Sequence, residues 1–122
     1  MAGQILRTIE IQVENEQMTV RELISARVRE EVDRYNAKAG DIYQGLIQPG
    51  DAEATLNGYA YKMRSKRFVD PEKQVYVALD AFKKNNFFVL VDNMQVTNLE
   101  ESILVDARTK VSFIRLMPLV GG

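Results

Sequence analysis

The stretch Phe87-Phe88-Val89-Leu90-Val91-Asp92-Asn93-Met94-Gln95-Val96 carries the clearest structural signal in this chain. Its first five residues are aromatic, β-branched or aliphatic, a composition typical of a β-strand. Asp92-Asn93 is a pair that forms tight turns, and Met94-Gln95-Val96 then provides a short partner strand. The stretch therefore predicts a strand, a tight turn and a returning strand.

The residues after this hairpin predict a loop, a last strand and a tail. Residues 99–104 are mostly polar with a few apolar anchors, whereas Val111-Ser112-Phe113-Ile114-Arg115-Leu116 has the composition of a strand. Pro118 cannot donate a hydrogen bond to a neighbouring strand, so it helps to end this one. Gly121 and Gly122 have no side chains and little conformational preference. We predict a flexible tail over residues 117–122.

The residues before the hairpin predict a helix. Asp70 is suited to cap the helix N-terminus, and Pro71 suits the first helical position. Val75, Leu79 and Phe82 recur along one face, and Lys83-Lys84-Asn85-Asn86 ends the helix with charges that suit a C-terminus.

The N-terminal part predicts a hairpin that leads directly into another helix. Ile9 to Val13 alternates apolar and polar residues, residues 14–17 supply a polar turn, and residues 18–20 form a short return arm. Thr19 and Glu22 have the spacing of a capping box. The helix is predicted over residues 21–38, and Gly40 is placed to end it.

One face of this helix is predicted to be buried and the rest to be solvated. Ile24, Val28, Val32 and Tyr35 recur at helical spacing. The charged residues elsewhere on the helix are expected to face water, including the acidic cluster; they are Arg27, Arg29, Glu30, Glu31, Asp33 and Arg34.

The segment from about residue 41 to residue 69 has the weakest pattern. Pro49-Gly50-Asp51 and Asn57-Gly58 are turn signals, and residues 52–56 between them are a candidate short helix. Some aromatic and apolar side chains of this segment are expected to cover part of the core: Tyr59, Tyr61, Met63 and Phe68.

Composition restricts the possible functions. The 122 residues suit one domain, the formal net charge is −1, and the chain has no Cys and no His. The two missing residue types exclude thiol nucleophiles, imidazole bases and the usual zinc ligands, so we expect no enzymatic activity and no bound metal. The N-terminus lacks the pattern of a signal peptide and no long apolar run occurs, which predicts a soluble cytoplasmic protein without membrane contact.

The run Lys62-Met63-Arg64-Ser65-Lys66-Arg67 is the one basic feature. It has the charge to contact nucleic acid or an acidic surface of a partner. Because the chain as a whole is near neutral, a solvated loop is the favoured interpretation, and no nucleic-acid partner is expected.

Together these elements resemble the ubiquitin-like β-grasp family. The stretch from Phe88 to Gly122 is similar to the second half of these proteins, with the strand, tight turn, short strand, loop with a short helical turn over 99–106, last strand and terminal diglycine. The ending Pro118-Leu119-Val120-Gly121-Gly122 is also similar to the tail of the small subunit of molybdopterin synthase and its sulfur-carrier relatives. Residues 40–86 depart from both patterns.

The resemblance implies an α+β fold in one domain over residues 1–122. In a β-grasp the first and last strands pair in parallel, so the sheet is mixed, and it wraps the helix. Residues 41–86 would be an insert that carries the second helix. The tail would leave the last strand at residue 117.

The resemblance also implies a function for the tail. In a ubiquitin-like modifier, an E1-like enzyme uses ATP to adenylate Gly122, and the acyl group passes to target amines, with a possible E2-like enzyme and a deconjugating protease as further partners. Gly121 and Gly122 would be the reactive end, and Pro118, Leu119 and Val120 would be recognised beside it. The chain itself would bind no cofactor.

Two other functions stay open at this point. In a sulfur carrier, Gly122 would become a thiocarboxylate that donates sulfur to a cofactor pathway. In an interaction module, the diglycine would have no role. For any of the three, Leu90, Ile114 and Leu116 are candidates for an apolar patch that docks partners, although each is also a suitable core residue.

Overall fold

The computed structural model describes residues 2–10, 16–38, 40–50, 52–54, 59–64 and 68–117. These residues contain two helices, α1 (Val20–Ala37) and α2 (Pro71–Lys83). Their strands are β1 (Ala2–Glu10), β2 (Glu16–Thr19), β3 (Ile42–Gln44), β4 (Glu53–Ala54), β5 (Ala60–Lys62), β6 (Phe87–Val91), β7 (Met94–Val96), β8 (Ser102–Val105) and β9 (Lys110–Met117). The α+β class predicted from the sequence is confirmed.

The chain divides into two compact units. The first unit comprises Met1–Leu23 with Phe82–Gly122, and the second comprises Ile24–Ala81. The second unit therefore contains most of α1 and most of the segment that the sequence pattern sets apart as an insert. The assignment of residues 1–122 to one β-grasp domain stays a prediction.

The main sheet of the first unit has the strand order β1-β9-β6-β7, with β9 in an interior position. Three phenylalanine rings pack against one another in the core beside this sheet. The ring centroids of Phe82 and Phe87 are 5.8 Å apart, and those of Phe87 and Phe113 are 6.5 Å apart. Phe87, Val89, Val111 and Phe113 are all buried, because alternate residues of β6 and β9 point to the same face.

The direction of the first strand differs from the prediction. β1 pairs with β9 antiparallel, with Ala2 opposite Met117 and Glu10 opposite Lys110, and every pairing among the described strands is antiparallel. The predicted parallel pairing and mixed sheet are therefore wrong. The alternation of apolar and polar residues has the same period in both kinds of pairing, so the sequence pattern does not encode strand direction.

The predicted N-terminal hairpin is also wrong. β2 pairs with β8, with Glu16 opposite Val105 and Thr19 opposite Ser102, and β1 is not its partner. Because β8 pairs with β2, residues 102–105 form a strand within the segment that was predicted as a loop with a helical turn. A short strand forms where a neighbour satisfies its backbone groups, and that neighbour is distant in sequence here.

The structure confirms the tight hairpin that Asp92 and Asn93 predict, which joins β6 to β7. Asp92 and Asn93 have φ values of 48° and 69°, and Val91 pairs with Met94. These positive φ values are those of a tight hairpin turn, which Asp and Asn tolerate better than most residues. The Asp92 carboxylate also accepts a hydrogen bond from the Lys110 amide at 3.0 Å, which ties the turn to the start of β9.

Both helix starts follow the predicted caps. Thr19 Oγ1 accepts a hydrogen bond from the Glu22 amide at 3.1 Å, and Glu22 Oε1 accepts one from the Thr19 amide at 3.1 Å. Asp70 Oδ1 accepts hydrogen bonds from the amides of Glu72 and Lys73 at 3.0 and 3.4 Å. The capping residues therefore satisfy amides that each first helical turn leaves without a partner.

The second unit contains a three-stranded sheet of order β3-β5-β4. β4 lies within the segment considered as a short helix, so that prediction is wrong for residues 53 and 54. A helix of five residues would have a costly nucleus, whereas β5 offers hydrogen-bond partners at once. The predicted face of α1 is confirmed, since Ile24, Val28, Val32 and Tyr35 are buried.

Candidate functional site

The predicted reactive tail begins where the described chain ends. Pro118, Leu119, Val120, Gly121 and Gly122 lie outside the described residues. What the structure gives is the strand that precedes them. β9 runs to Met117 and is paired on both sides, with β1 along residues 110–117 and with β6 along residues 111–115. Two neighbours therefore pair with β9 up to Arg115, and β1 alone pairs with Leu116 and Met117, the residues directly before the tail.

Leu90 and Ile114 lie on one face of this sheet. Phe88 is opposite Ile114 and Leu90 is opposite Ser112, and paired residues of antiparallel strands point to the same side. All three apolar side chains are half-buried, in contrast to Phe87, Val89 and Phe113 on the other face. We call Phe88, Leu90 and Ile114 the outer patch.

The outer patch partly matches the predicted docking residues. The structure brings Leu90 and Ile114 to one face and adds Phe88, which sequence reasoning missed. Phe88 lies two residues before Leu90 in the same predicted strand, and alternate residues of a strand share a face, so the sequence does contain a signal for Phe88. The side chain of Leu116 lies outside what the structure describes. The docking role itself stays a prediction.

A cluster of polar side chains lies inside the second unit. Arg27 and Glu31 are one helical turn apart on α1, and their side chains are each only 4% exposed. Arg27 Nε lies 2.9 Å from Glu31 Oε2, and the Leu46 amide donates to both Glu31 oxygens at 3.2 and 3.1 Å. The prediction that these two charges face water is wrong. Both side chains are buried, and Leu46 in the loop after β3 bonds the Glu31 carboxylate.

Close packing surrounds this buried ion pair. A Cβ added to Gly45 would lie 2.4 Å from the Tyr43 ring and 3.1 Å from Glu31 Oε1, so the loop has room only for glycine at this position. The rings of Tyr43 and Tyr35 are 5.5 Å apart. Gln74 of α2, which is 5% exposed, donates to the Ile47 carbonyl at 2.8 Å. The loop after β3 is therefore in close contact with α1 and hydrogen-bonded to α2 within the second unit.

Burial in this cluster alters the acidity of Tyr43. Burial, followed by the nearby Glu31 carboxylate, raises the pKa of Tyr43 well above its ordinary value. The Arg27 guanidinium and the Gln74 side chain oppose this shift but do not cancel it. The phenol therefore stays neutral in the folded protein.

A pH titration tests this environment. In the unfolded chain the Tyr43 phenol loses its proton near pH 10, whereas in the folded chain it keeps the proton to a higher pH. The stabilising effect is complete below the unfolded pKa and is lost as pH rises through the window above about 10. We expect the free energy of unfolding to fall less steeply in this window for Tyr43→Phe than for the wild type.

The described residues contain neither a candidate metal site nor a helix suited to cross a membrane. Within the described ranges, no three acidic residues approach closely enough to hold a metal ion. Neither α1 nor α2 combines the length and apolar character needed to cross a membrane. Comparison with protein-family models, curated proteins and solved structures found no match.

Proposed function

We propose that this chain is a ubiquitin-like protein modifier that acts through the carboxylate of Gly122. An E1-like enzyme would adenylate this carboxylate, and the acyl group would then pass to an amine of a target protein. The proposal requires a free carboxylate at Gly122, whether translation ends there or cleavage exposes it. The chain is the substrate and carrier in this scheme, and its partners supply the catalytic groups.

The observation that carries the proposal is the position of β9. This strand is interior to its sheet and paired on both sides, and the proposed tail starts at the residue after it. Five extended residues span up to about 17 Å, since each adds about 3.3–3.6 Å. A strand that is part of a sheet, followed by a tail that ends in two residues without side chains, suits entry of the terminus into a confined active site.

We infer that the first unit is a variant of the β-grasp. The support comes from β6, β7 and β9, which have the predicted hairpin turn and the predicted last strand beside it. The variant would differ from the family pattern in the antiparallel pairing of β1 with β9. The second unit would be an addition to this framework.

The proposed chemistry needs no catalytic group from this chain. A Gly122 carboxylate oxygen attacks the α-phosphate of ATP, the bond to the β-phosphate oxygen breaks, and pyrophosphate leaves. A thiol or amine then attacks the carbonyl carbon of the adenylate, loses its proton to solvent or a base of the partner, and releases AMP. Because the chain contains no Cys, any thiol in this sequence of steps belongs to a partner.

A sulfur carrier is the second candidate function. The pattern Pro118-Leu119-Val120-Gly121-Gly122 supports it, because this spacing is also that of sulfur-carrier tails. Here sulfide replaces the amine as the nucleophile that attacks the carbonyl carbon of the adenylate, AMP leaves, and a thiocarboxylate forms at Gly122. The first chemical step is shared with the modifier, so the two candidates differ only in the product.

Mass spectrometry of the protein from its native cell distinguishes these products. Trypsin cleaves after Arg115, so a lysine of a target would carry the remnant Leu116–Gly122 joined through an isopeptide bond. We expect this remnant on target lysines. An intact chain whose mass has gained the difference between sulfur and oxygen would instead support the sulfur carrier. An unmodified Gly122 with no remnants would favour the interaction module.

A further inference from the structure

One side of α2 presents four accessible residues at helical spacing. Lys73, Tyr76, Val77 and Asp80 follow the spacing i, i+3, i+4 and i+7, which groups side chains on one face of a helix. Tyr76 is 74% exposed and Val77 is 43% exposed, while Lys73 is exposed and Asp80 is half-buried. The residues between them are buried, namely Gln74, Val75, Ala78 and Ala81. We call the four accessible residues the α2 stripe.

Phe68 adds a third exposed apolar side chain beside the α2 stripe. It is 78% exposed, and it lines an open groove of about 410 Å³ together with Lys73 and Val77. The expectation that Phe68 covers the core is therefore wrong. Single exposed apolar residues are common on protein surfaces, whereas a group of them is typical of a surface that binds a protein.

The charges of the α2 stripe are arranged so that the stripe is complementary to itself. Lys73 lies three residues before Tyr76, and Asp80 lies three residues after Val77. If two α2 helices pack antiparallel about a two-fold axis between residues 76 and 77, Lys73 of each copy lies opposite Asp80 of the other. Tyr76 of each copy then lies opposite Val77 of the other. Each contact between opposite charges occurs twice, because a two-fold interface uses the same surface on both copies.

This arrangement fits a second copy of the chain better than a strongly charged partner. The α2 stripe has one cation and one anion, so it has no net charge that would attract an acidic or a basic segment. The ends of α2 suit the same antiparallel pairing, since its first turn contains Glu72 and its last turn contains Lys83. Antiparallel packing brings the acidic first turn of one helix towards the basic last turn of the other.

We propose that α2 is the contact surface of a symmetric dimer of this chain, in which two α2 helices pack antiparallel. Tyr76 of each copy packs against Val77 and Phe68 of the other, and these side chains form the apolar centre of the contact. Lys73 of each copy pairs with Asp80 of the other on both sides of this centre. The dimer goes beyond the function proposed for the tail and does not depend on it.

Sedimentation equilibrium of the full chain tests the dimer. We expect monomer and dimer in an equilibrium that shifts with concentration. Lys73→Glu and Asp80→Lys should each raise the dissociation constant at least about tenfold, because each places two pairs of like charges opposite one another. Arg29→Glu is the matched control, since it reverses an exposed charge on α1. It should change the dissociation constant less than about twofold, as at a residue outside an interface.

A double charge reversal identifies the antiparallel pairing. Lys73→Glu/Asp80→Lys exchanges the two charges, so opposite charges again face each other at both contacts, and we expect the dissociation constant to return to near the wild-type value. Arg29→Glu/Asp80→Lys has the same net charge as this variant but keeps a cation at residue 73. It should dimerise as weakly as Asp80→Lys alone. In a parallel pairing residue 73 would face residue 73, and the exchange of charges would restore nothing.

The apolar centre is tested by Tyr76→Ser. This variant should also raise the dissociation constant at least about tenfold, because a large aromatic side chain at the centre of an interface is a typical hot spot. Its thermal unfolding at a concentration at which the chain is monomeric should change little, since the Tyr76 side chain is 74% exposed. The same measurement on the charge variants shows that their fold is retained.

Three results would overturn the proposal. These are a monomer at every concentration up to the limit of solubility, a dimer that Lys73→Glu and Tyr76→Ser leave unchanged, and no recovery in Lys73→Glu/Asp80→Lys. Activation at Gly122 is measured separately on the same variants. Activation without a dimer would leave the proposed function standing and reject the dimer, and a dimer without activation would do the reverse.

Discussion

Glu31→Ala is expected to lower the free energy of unfolding by about 3–5 kcal/mol, the range for loss of one partner from a buried ion pair. The variant leaves the Arg27 guanidinium buried without its carboxylate, since both side chains are only 4% exposed. It also removes the acceptor of the Leu46 amide. Urea denaturation followed by circular dichroism measures the loss.

The same helix offers a matched control. Glu30 and Arg34 form an ion pair with the same spacing, but their side chains are 60% and 38% exposed. Glu30→Ala should change the free energy of unfolding by about 0.5 kcal/mol or less, because water already solvates both charges. If Glu30→Ala and Glu31→Ala destabilised the protein equally, burial would not be the reason for the effect.

A double substitution separates the lost charge pair from the lost hydrogen bond. Arg27→Met/Glu31→Leu replaces both charges with apolar side chains, so no buried charge is left uncompensated. We expect it to be more stable than Glu31→Ala and to retain the cost of the lost hydrogen bond between the Leu46 amide and Glu31, about 1–3 kcal/mol. A double variant less stable than Glu31→Ala would contradict this division.

Local chemistry made much of the fold predictable from the sequence. The turn with positive φ that Asp92 and Asn93 predict is present in the structure. So are the two helix starts, which the sequence predicts from Thr19 with Glu22 and from Asp70 with Pro71. In each case the signal and its structural consequence lie within a few residues of each other. Such features depend on backbone conformation and nearby hydrogen bonds, which the local sequence determines.

Features that depend on distant partners were not predictable. β2 and β8 are more than eighty residues apart in sequence, so neither indicates the other. The burial of Glu31 depends on the Leu46 amide, which sequence periodicity does not reveal. Phe68 was expected to cover the core because it is a large aromatic residue, and this expectation is wrong because its side chain is 78% exposed. The outer patch was partly predictable, because alternation within β6 and β9 groups its residues.

Deletion of Gly122 is expected to abolish activation of the chain while leaving its stability unchanged. The adenylating enzyme must bring the carboxylate to the α-phosphate of ATP, and a shorter tail that ends at Gly121 does not reach that position. Thermal unfolding should be the same as for the full chain, because the sequence predicts that Gly122 belongs to a flexible tail and it has no side chain to contribute to a core. Glu30→Ala, at an exposed side chain of α1, is the control outside the tail, and it should retain activation.

The most direct test of the central claim is ATP–pyrophosphate exchange. The full chain, the Gly122-deleted chain and the Glu30→Ala variant are each added to an extract of the native cell, and incorporation of labelled pyrophosphate into ATP is measured. The account predicts that the full chain and Glu30→Ala stimulate exchange and that the Gly122-deleted chain does not. Equal exchange with the full and the Gly122-deleted chains, or no exchange with either, would contradict both the modifier and the sulfur carrier.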